Sequence, residues 1–536
     1  MTAGSNEPTG TPRALDTPEF PRISDYATYW AAHTPDAEAL VLNDSRISYA
    51  ELAKLVHRCA ARLVDMGVQP GDRVAMLSAP RPEFFIVFLA SARIGAVWLG
   101  LNPKYTLDEL RYVIGDAQPV VLVAPAAVDG RDFRGEVRTL ARENSAIRHV
   151  VILELGSQFS PEPLHILLSF AGDSVSLAER CKAVSAQDAA LLVYTSGTTG
   201  RPKGALLPHR GLVHCSRIQR AYLRAQPLRA LNNLPVNHVG CVGDICAFVL
   251  VSGGTVVFAE RFEPARIGPL VSRQRITMWA QVPTMFQLTL DDPGFDPGMV
   301  ACVQEIAWSG AMAPENLVRR LHALGPPLSS FYGMTETVGS VCYSDAGASL
   351  PDLARTIGRP DPRYDVRIAD AEGSAAPRGE AGEIQVRGDF LMLGYLNNAE
   401  ATREAFTTDG WLRTGDLATE EPDGQFRLIG RLREMFKSGG YNVYPKEVET
   451  VLESHPAVGL SAVVATPDPL YGEVGTAFLV CNAGAAVDDA LLRSHCRERL
   501  ANYKIPKRFH VMDAMPMLPI GKVDRAELRR RARQVR

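Results

Sequence analysis

The sequence has no apolar run long enough to cross a membrane. Its longest, Phe84 to Leu101, is broken by Arg93 and Gly95, whereas a spanning helix needs about 20 consecutive apolar residues. Met1 to about Pro21 is rich in Thr, Pro, Gly and acids and has no apolar core of the kind a secretory leader needs. We read residues 1–24 as a loose tail. Charge of one sign is also lacking: 57 basic against 60 acidic side chains leave a net charge of −3, which gives no basic surplus for a nucleic-acid partner. The nine cysteines (Cys59, Cys181, Cys215, Cys241, Cys246, Cys302, Cys342, Cys481, Cys496) form no CxxC pair and no nearby Cys/His ligand spacing. That pattern points to reduced thiols in the cytoplasm and away from a structural zinc site. Internal repeats and long low-complexity stretches are missing as well. Peripheral membrane contact and a homodimer stay open.

What is present is the texture of a large α/β protein. At 536 residues the chain exceeds one core, so two or more are expected. Ser48-Tyr49-Ala50-Glu51 has the form of a capping box. Leu52, Leu55, Val56, Cys59 and Leu63 follow it at helical spacing. A strand Arg73–Leu77, a helix Glu83–Ile94, a strand Ala96–Leu101, a helix Leu107–Ile114 and a strand Val120–Val123 continue the alternation. Further strands are expected at Thr255–Phe258, Met278–Gln281 and Ile306–Trp308. Such alternation predicts parallel sheets covered by helices. After about Arg355 short β segments and Gly/Pro/Asp turns take over, at Val366–Ile368, Glu383–Val386 and Phe426–Ile429. A boundary is expected at Gly430-Arg431-Leu432-Arg433. Beyond it, helix Lys446–Glu453, strands Ser461–Ala465 and Thr476–Val480 and helix Asp488–Leu500 suit a small α+β unit. We therefore expect domains at 25–430 and 434–536 with a hinge at 431–433. The basic end, Arg525 to Arg536, reads as a solvated helix face.

The densest chemistry lies in Tyr194-Thr195-Ser196-Gly197-Thr198-Thr199-Gly200-Arg201-Pro202-Lys203-Gly204. Glycines let backbone N–H groups turn toward an anion. The hydroxyls add donors, and Lys203 adds a point charge suited to a polyphosphate. No Gly-Lys-Ser/Thr follows, so this is not a Walker loop. The apolar run Ala189–Val193 before it reads as a buried strand, which would put the loop where open α/β sheets bind ligands. Downstream, Tyr332-Gly333-Met334-Thr335-Glu336 sets an aromatic that could stack on a purine beside a hydroxyl and a hard carboxylate ligand for Mg²⁺.

Taken in order, these segments resemble the adenylate-forming superfamily, which includes acyl-CoA synthetases, luciferases and peptide-synthetase adenylation domains. The resemblance covers about residues 25–530. It implies that Thr195, Ser196, Gly197, Thr198, Thr199, Gly200 and Lys203 form the phosphate loop. Ser309-Gly310-Ala311 would run along the adenine, and Tyr332, Gly333, Met334, Thr335 and Glu336 would match its YGxTE motif. Gly410–Asp416 looks like GWxxTGD, which makes Asp416 the ribose ligand. Arg431 would reach ribose or α-phosphate, and Arg433 stands at the hinge position, where the family usually has Lys, Asp or Glu. Lys437, Ser438, Gly439 and Gly440 would line the pantetheine tunnel. Leu518-Pro519-Ile520-Gly521-Lys522 matches the terminal lysine motif, with Pro-Ile where many relatives carry Ser or Thr. Pro235-Val236-Asn237-His238 resembles PLFH, with Asn for the usual aromatic.

The implied activity is an ATP- and Mg²⁺-dependent acyl-CoA synthetase. A carboxylic acid attacks the α-phosphorus of ATP to give acyl-adenylate and pyrophosphate, and coenzyme A then displaces AMP. Lys522, Thr335, Glu336, His238 and Lys203 would be catalytic. The acyl pocket would be lined by His238, Val239, Gly240, Gly243, Trp308, Val338 and Gly339, which suits a fatty, alicyclic or aryl acid. Asp244 is out of keeping with a wholly apolar pocket. It either faces away or marks a substrate with a polar group. A carrier-protein ligase, a luciferase-type oxygenase and a non-catalytic nucleotide binder remain as alternatives.

Overall fold

The computed structural model describes residues 15–169, 174–195, 201–482, 484–518 and 521–534. Among them, nine strands form one sheet in the order Arg359–Pro360, Ser340–Tyr343, Leu328–Gly333, Glu305–Trp308, Met278–Gln281, Arg229–Asn232, Thr255–Phe258, Glu38–Leu42 and Ser45–Ser48. Seven form a second, in the order Gly394–Tyr395, Lys203–Pro208, Ala189–Thr195, Val97–Leu101, Arg73–Leu77, Val121–Pro125 and His149–Leu153. Both are parallel in the middle and antiparallel only toward their ends.

Strand alternation decides how the layers stack. In Glu38–Leu42, Leu40 and Leu42 join a central core while Val41 joins an outer one. In Arg73–Leu77, Val74 and Met76 face the same central core, and Ala75 and Leu77 face a third. The two sheets therefore share one core, and helices cover their outer faces. Helix Pro82–Arg93 lies in that shared core with every residue but Arg93 buried. The longest apolar run of the sequence is thus an interior helix followed by a strand, Val97–Leu101, buried on both faces. Phe88, packed on Phe85 and Trp98, is the kind of side chain whose truncation to Ala costs about 3–5 kcal/mol.

The meander Asp365–Ala369, Gly382–Arg387, Leu412–Glu420 and Phe426–Arg431 forms a separate four-stranded sheet. The next strand, Phe436–Ser438, belongs to a C-terminal sheet with Tyr441–Val443, Val458–Asp468, Gly472–Cys481 and Arg508–Val511. That sheet is clothed by helices on both faces. Val463 points into one small core, and Ala462 and Val464 into another.

Several expectations change. The strands expected at Ser461–Ala465 and Thr476–Val480 are the middle of one long hairpin. Ser48 caps its helix by accepting from Glu51 N at 3.2 Å, but the reciprocal box occurs instead at Thr106 and Glu109. The described part of the expected loose tail is anchored. Arg217 donates to Thr17 O, Tyr26 Oη to Pro18 O, and Ile23 is fully buried. The basic helix Arg525–Gln534 is not simply a solvated face, because Arg525 is pinned to Glu449 at 2.7 Å and donates to Val463 O at 2.9 Å.

Candidate active site

Three of the described motifs follow the carboxyl end of a strand, the usual crevice of a parallel sheet. Ser309-Gly310 follows Glu305–Trp308, Met334–Glu336 follows Leu328–Gly333, and Pro235–His238 follows Arg229–Asn232. Ser196 to Gly200 lie outside the described residues. The strands that flank them pair directly, Thr195 opposite Lys203. Tyr194 donates its hydroxyl to Asp116 at 2.6 Å.

Thr335–Thr337 is a single tight turn, held by Thr337. Its hydroxyl accepts from Met334 N at 2.9 Å and lies 2.7 Å from the carbonyl of Gly339. Val338 closes the turn at φ 64°, a left-handed conformation rare for a β-branched residue and costing about 1–3 kcal/mol. Gly333 is required by contact: a Cβ there would overlap the backbone of Gly339. The turn presents Glu336 inward, 5% exposed. Its Oε1 accepts from Tyr395 Oη at 2.7 Å and, at 3.5 Å, from Thr195. Its Oε2 takes no hydrogen bond among the described residues. Lys203 Nζ lies 5.4 Å from the centre of the Tyr395 ring.

A second cluster forms where the meander ends. Asp416 and Arg431 are cross-strand partners. Asp416, 2% exposed, accepts from Arg431 Nε and from Tyr332 Oη, each at 2.8 Å. The Tyr332 ring thus presents one edge to Asp416 while its body joins the central core.

Lys522 reaches this crevice from the C-terminal unit. Leu518 N donates to Lys522 O at 2.7 Å, and Gly521 stands against Val282 and Met285. Gly310, at φ 82°, leaves open the position where a Cβ would stand 3.5 Å from Lys522 Cε. Burial and the neighbouring Arg431 bring the Lys522 ammonium down to about 8. His238 opens the turn at Gly240–Ala247, and burial, then Lys522, hold its imidazole near 4. It is therefore neutral at pH 7. Val239 and Val338 converge on Gly243.

Trp308 does not join them. On strand Glu305–Trp308, Ala307 faces the central core, while Ile306 and Trp308 face the outer one, with Phe286 and Leu317. Strand alternation therefore turns Trp308 into the outer core, on the opposite face from Ala307. Ala311 is exposed at the mouth, and Met334 is half-buried. Lys437, Ser438, Gly439 and Gly440 form a hairpin tip away from this cluster, with Gly439 against Tyr471. Arg433 is exposed. Tyr395 and Thr337, which organise Glu336, carry no local sequence signal beyond the glycine preceding Tyr395.

No three His, Cys, Asp or Glu converge among the described residues. One carboxylate with a free oxygen still fits Mg²⁺, which favours one or two carboxylates completed by phosphate oxygens and water. Nor is any described helix long and apolar enough to cross a membrane.

Residues 27–396 match the AMP-binding enzyme family, and residues 447–522 match the AMP-binding enzyme C-terminal domain. The chain is 35% identical over 502 residues to a feruloyl-CoA synthase of an Amycolatopsis species, covering 94% of this chain and 97% of that one. ATP-bound MatB from Rhodopseudomonas palustris superposes with a TM-score of 0.82 at 29% identity, covering 96% and 99% of the two chains. The o-succinylbenzoate CoA synthetase of Bacillus subtilis, in complex with its acyl-adenylate intermediate, does so with a TM-score of 0.76 at 28% identity, covering 94% and 97%.

Proposed function

Because the chain belongs to the AMP-binding enzyme family, we propose that it is an ATP-dependent acid–CoA ligase acting through an acyl-adenylate. The observation that carries this reading is the position of Lys522. A lysine from the C-terminal unit stands in the same crevice as His238, Glu336 and the Asp416–Arg431 pair. The feruloyl and o-succinylbenzoate ligases among its relatives support an aryl acid.

The substrate acid's carboxylate lies beside neutral His238, which donates a hydrogen bond without adding a competing charge. Its oxygen attacks the α-phosphorus of ATP. Lys522, Lys203 and the Thr195–Gly200 loop offset the charge that develops on the phosphate oxygens, and Thr335 donates to them. Asp416 accepts the ribose hydroxyls, and Arg431 is held by Asp416 near the α-phosphate. Glu336 holds Mg²⁺, which when bound neutralises triphosphate charge. Pyrophosphate leaves, and Lys522 has no further charge to stabilise. The C-terminal unit, residues 434–536, then turns about 431–433. This removes Lys522 and brings the Gly439-Gly440 hairpin to the crevice for coenzyme A. The thiol attacks the acyl carbonyl, and AMP leaves.

The test is pyrophosphate release over a panel of carboxylic acids, with and without coenzyme A. Acid-dependent release with AMP and acyl-CoA in equal amounts is expected. Acid activation that stalls at the adenylate until a carrier protein is added would replace coenzyme A as acceptor. ATP binding without acid-dependent turnover would overturn the enzymatic reading.

A further inference from the structure

The acyl end of the crevice holds a carboxylate that the ligase chemistry does not use. Asp244 lies within the π-helical turn Gly240–Ala247, six residues beyond His238. From Cys241 to Ala247 every other residue is buried, whereas Asp244 keeps accessible surface. Its oxygens stand between two glycines of the acyl wall. Oδ1 is 3.4 Å from where a Cβ on Gly339 would be, and Oδ2 is 4.0 Å from that of Gly240.

Among the described residues nothing donates to either oxygen. The backbone carbonyl is served, by Gln219 Nε2 at 3.1 Å, but the carboxylate is not. Two donors nearby are committed elsewhere: Cys215 Sγ points to Thr337 O, and Tyr343 Oη donates to Ser340 O at 2.8 Å. Burial raises the carboxyl to about 7, with no cation pulling it back. The carboxylate is thus desolvated yet keeps some accessible surface beside Gly240 and Gly339. Buried polar groups are ordinarily satisfied, so an unsatisfied one facing a binding cavity calls for a partner from the ligand.

We propose that Asp244 selects the substrate, and that the preferred acid carries a hydroxyl at the end remote from its carboxylate. This rests on the ligase reading above. Six helical residues separate His238 from Asp244, at most about 9 Å at an α-helical rise. That span suits a ring on a short acid arm better than a long alkyl chain. The surrounding Val239, Leu212, Leu234 and Val338 are apolar. A cationic amine would leave water for a poor site, whereas a neutral hydroxyl needs only the one acceptor.

The experiment compares aryl acids identical except for a distal hydrogen, hydroxyl, methoxy or aminomethyl group, read as kcat/KM for pyrophosphate release. The parent enzyme should favour the hydroxyl acid over its hydrogen counterpart by about tenfold or more. Asp244→Leu should erase or invert that preference and leave the KM for ATP unchanged. Asp244→Asn, which keeps the volume, should shift preference toward the methoxy acid because its amide N–H donates. It also decides the matter if the Leu variant does not fold. Equal use of hydrogen and hydroxyl acids by the parent would overturn the proposal. So would a folded Asp244 variant with the parent's rank order, or a uniform loss on every acid. Preference for the cationic aminomethyl acid would overturn the neutral-donor class. No pyrophosphate release with any acid would remove the ligase reading, and this inference with it.

Discussion

Replacing Asp416 by Ala tests the nucleotide half of the site. In the parent, both carboxylate oxygens are held, one by Arg431 and one by Tyr332, each at 2.8 Å. The group is therefore fixed before ATP arrives. A charge-assisted hydrogen bond to a ribose hydroxyl contributes about 1.5–3 kcal/mol, so its loss should raise the KM for ATP by roughly 10- to 150-fold. The same substitution strands the buried Tyr332 hydroxyl at a cost of about 1–3 kcal/mol in stability. Asp416→Asn keeps one acceptor oxygen and separates the two effects. The assay is pyrophosphate release at varied ATP and at varied 2′-deoxy-ATP, with thermal unfolding alongside. The parent should discriminate against 2′-deoxy-ATP, and the Ala variant should largely lose that discrimination. Equal discrimination by both enzymes, with KM unchanged, would refute the ribose assignment.

Lys522→Ala should cripple adenylation yet spare thioester formation from supplied acyl-adenylate, because its charge serves only while pyrophosphate leaves; equal losses in the two assays would remove that role. Arg433→Pro should separate the half-reactions, since proline fixes φ and removes a donor at the proposed pivot. Adenylation should survive better than coenzyme A consumption, and a folded variant with both rates at parental level would make Arg433 an ordinary linker. Arg525→Ala should destabilise the C-terminal unit by about 3–5 kcal/mol, because Glu449 is left buried without its partner. Burial pushes the Glu449 carboxyl up, but Arg525 and Lys446 outweigh it and hold it below its ordinary 4.5. Its contribution is therefore complete above about pH 4.5 and is lost as pH falls through the lowered native value. Urea unfolding across that range should show this acid limb in the parent and not in the variant.

Local pattern carried much of the fold. Strands Thr255–Phe258 and Met278–Gln281 stand where apolar runs between turns put them, because buried parallel strands are written as such runs. Helix Leu107–Ala117 extends past the expected Ile114 to a left-handed Gln118, a cap that the sequence does not advertise. Non-local pairings were not legible. Tyr395 reaches Glu336 across 59 residues, and Arg525 reaches Glu449 across 76. Nothing near either arginine or tyrosine announces its partner. Trp308 illustrates a different limit. Its place at the end of a short strand marked it as near the site, but only the pleat's phase decides which face it takes. The unusual wide turn at Gly240–Ala247 likewise follows from packing rather than from propensity, and it is what turns Asp244 toward the glycine wall.

The central claim is an acyl-adenylate, and its most direct test follows oxygen. A free substrate acid labelled with heavy oxygen in its carboxylate is incubated with ATP, Mg²⁺ and coenzyme A, and the products are read by mass spectrometry. If the carboxylate attacks the α-phosphorus and the thiol then attacks the carbonyl, one labelled oxygen must leave with AMP. Label in AMP, with unlabelled pyrophosphate, is the predicted result. Label in orthophosphate, or acyl-CoA formed with unlabelled AMP, would contradict the account.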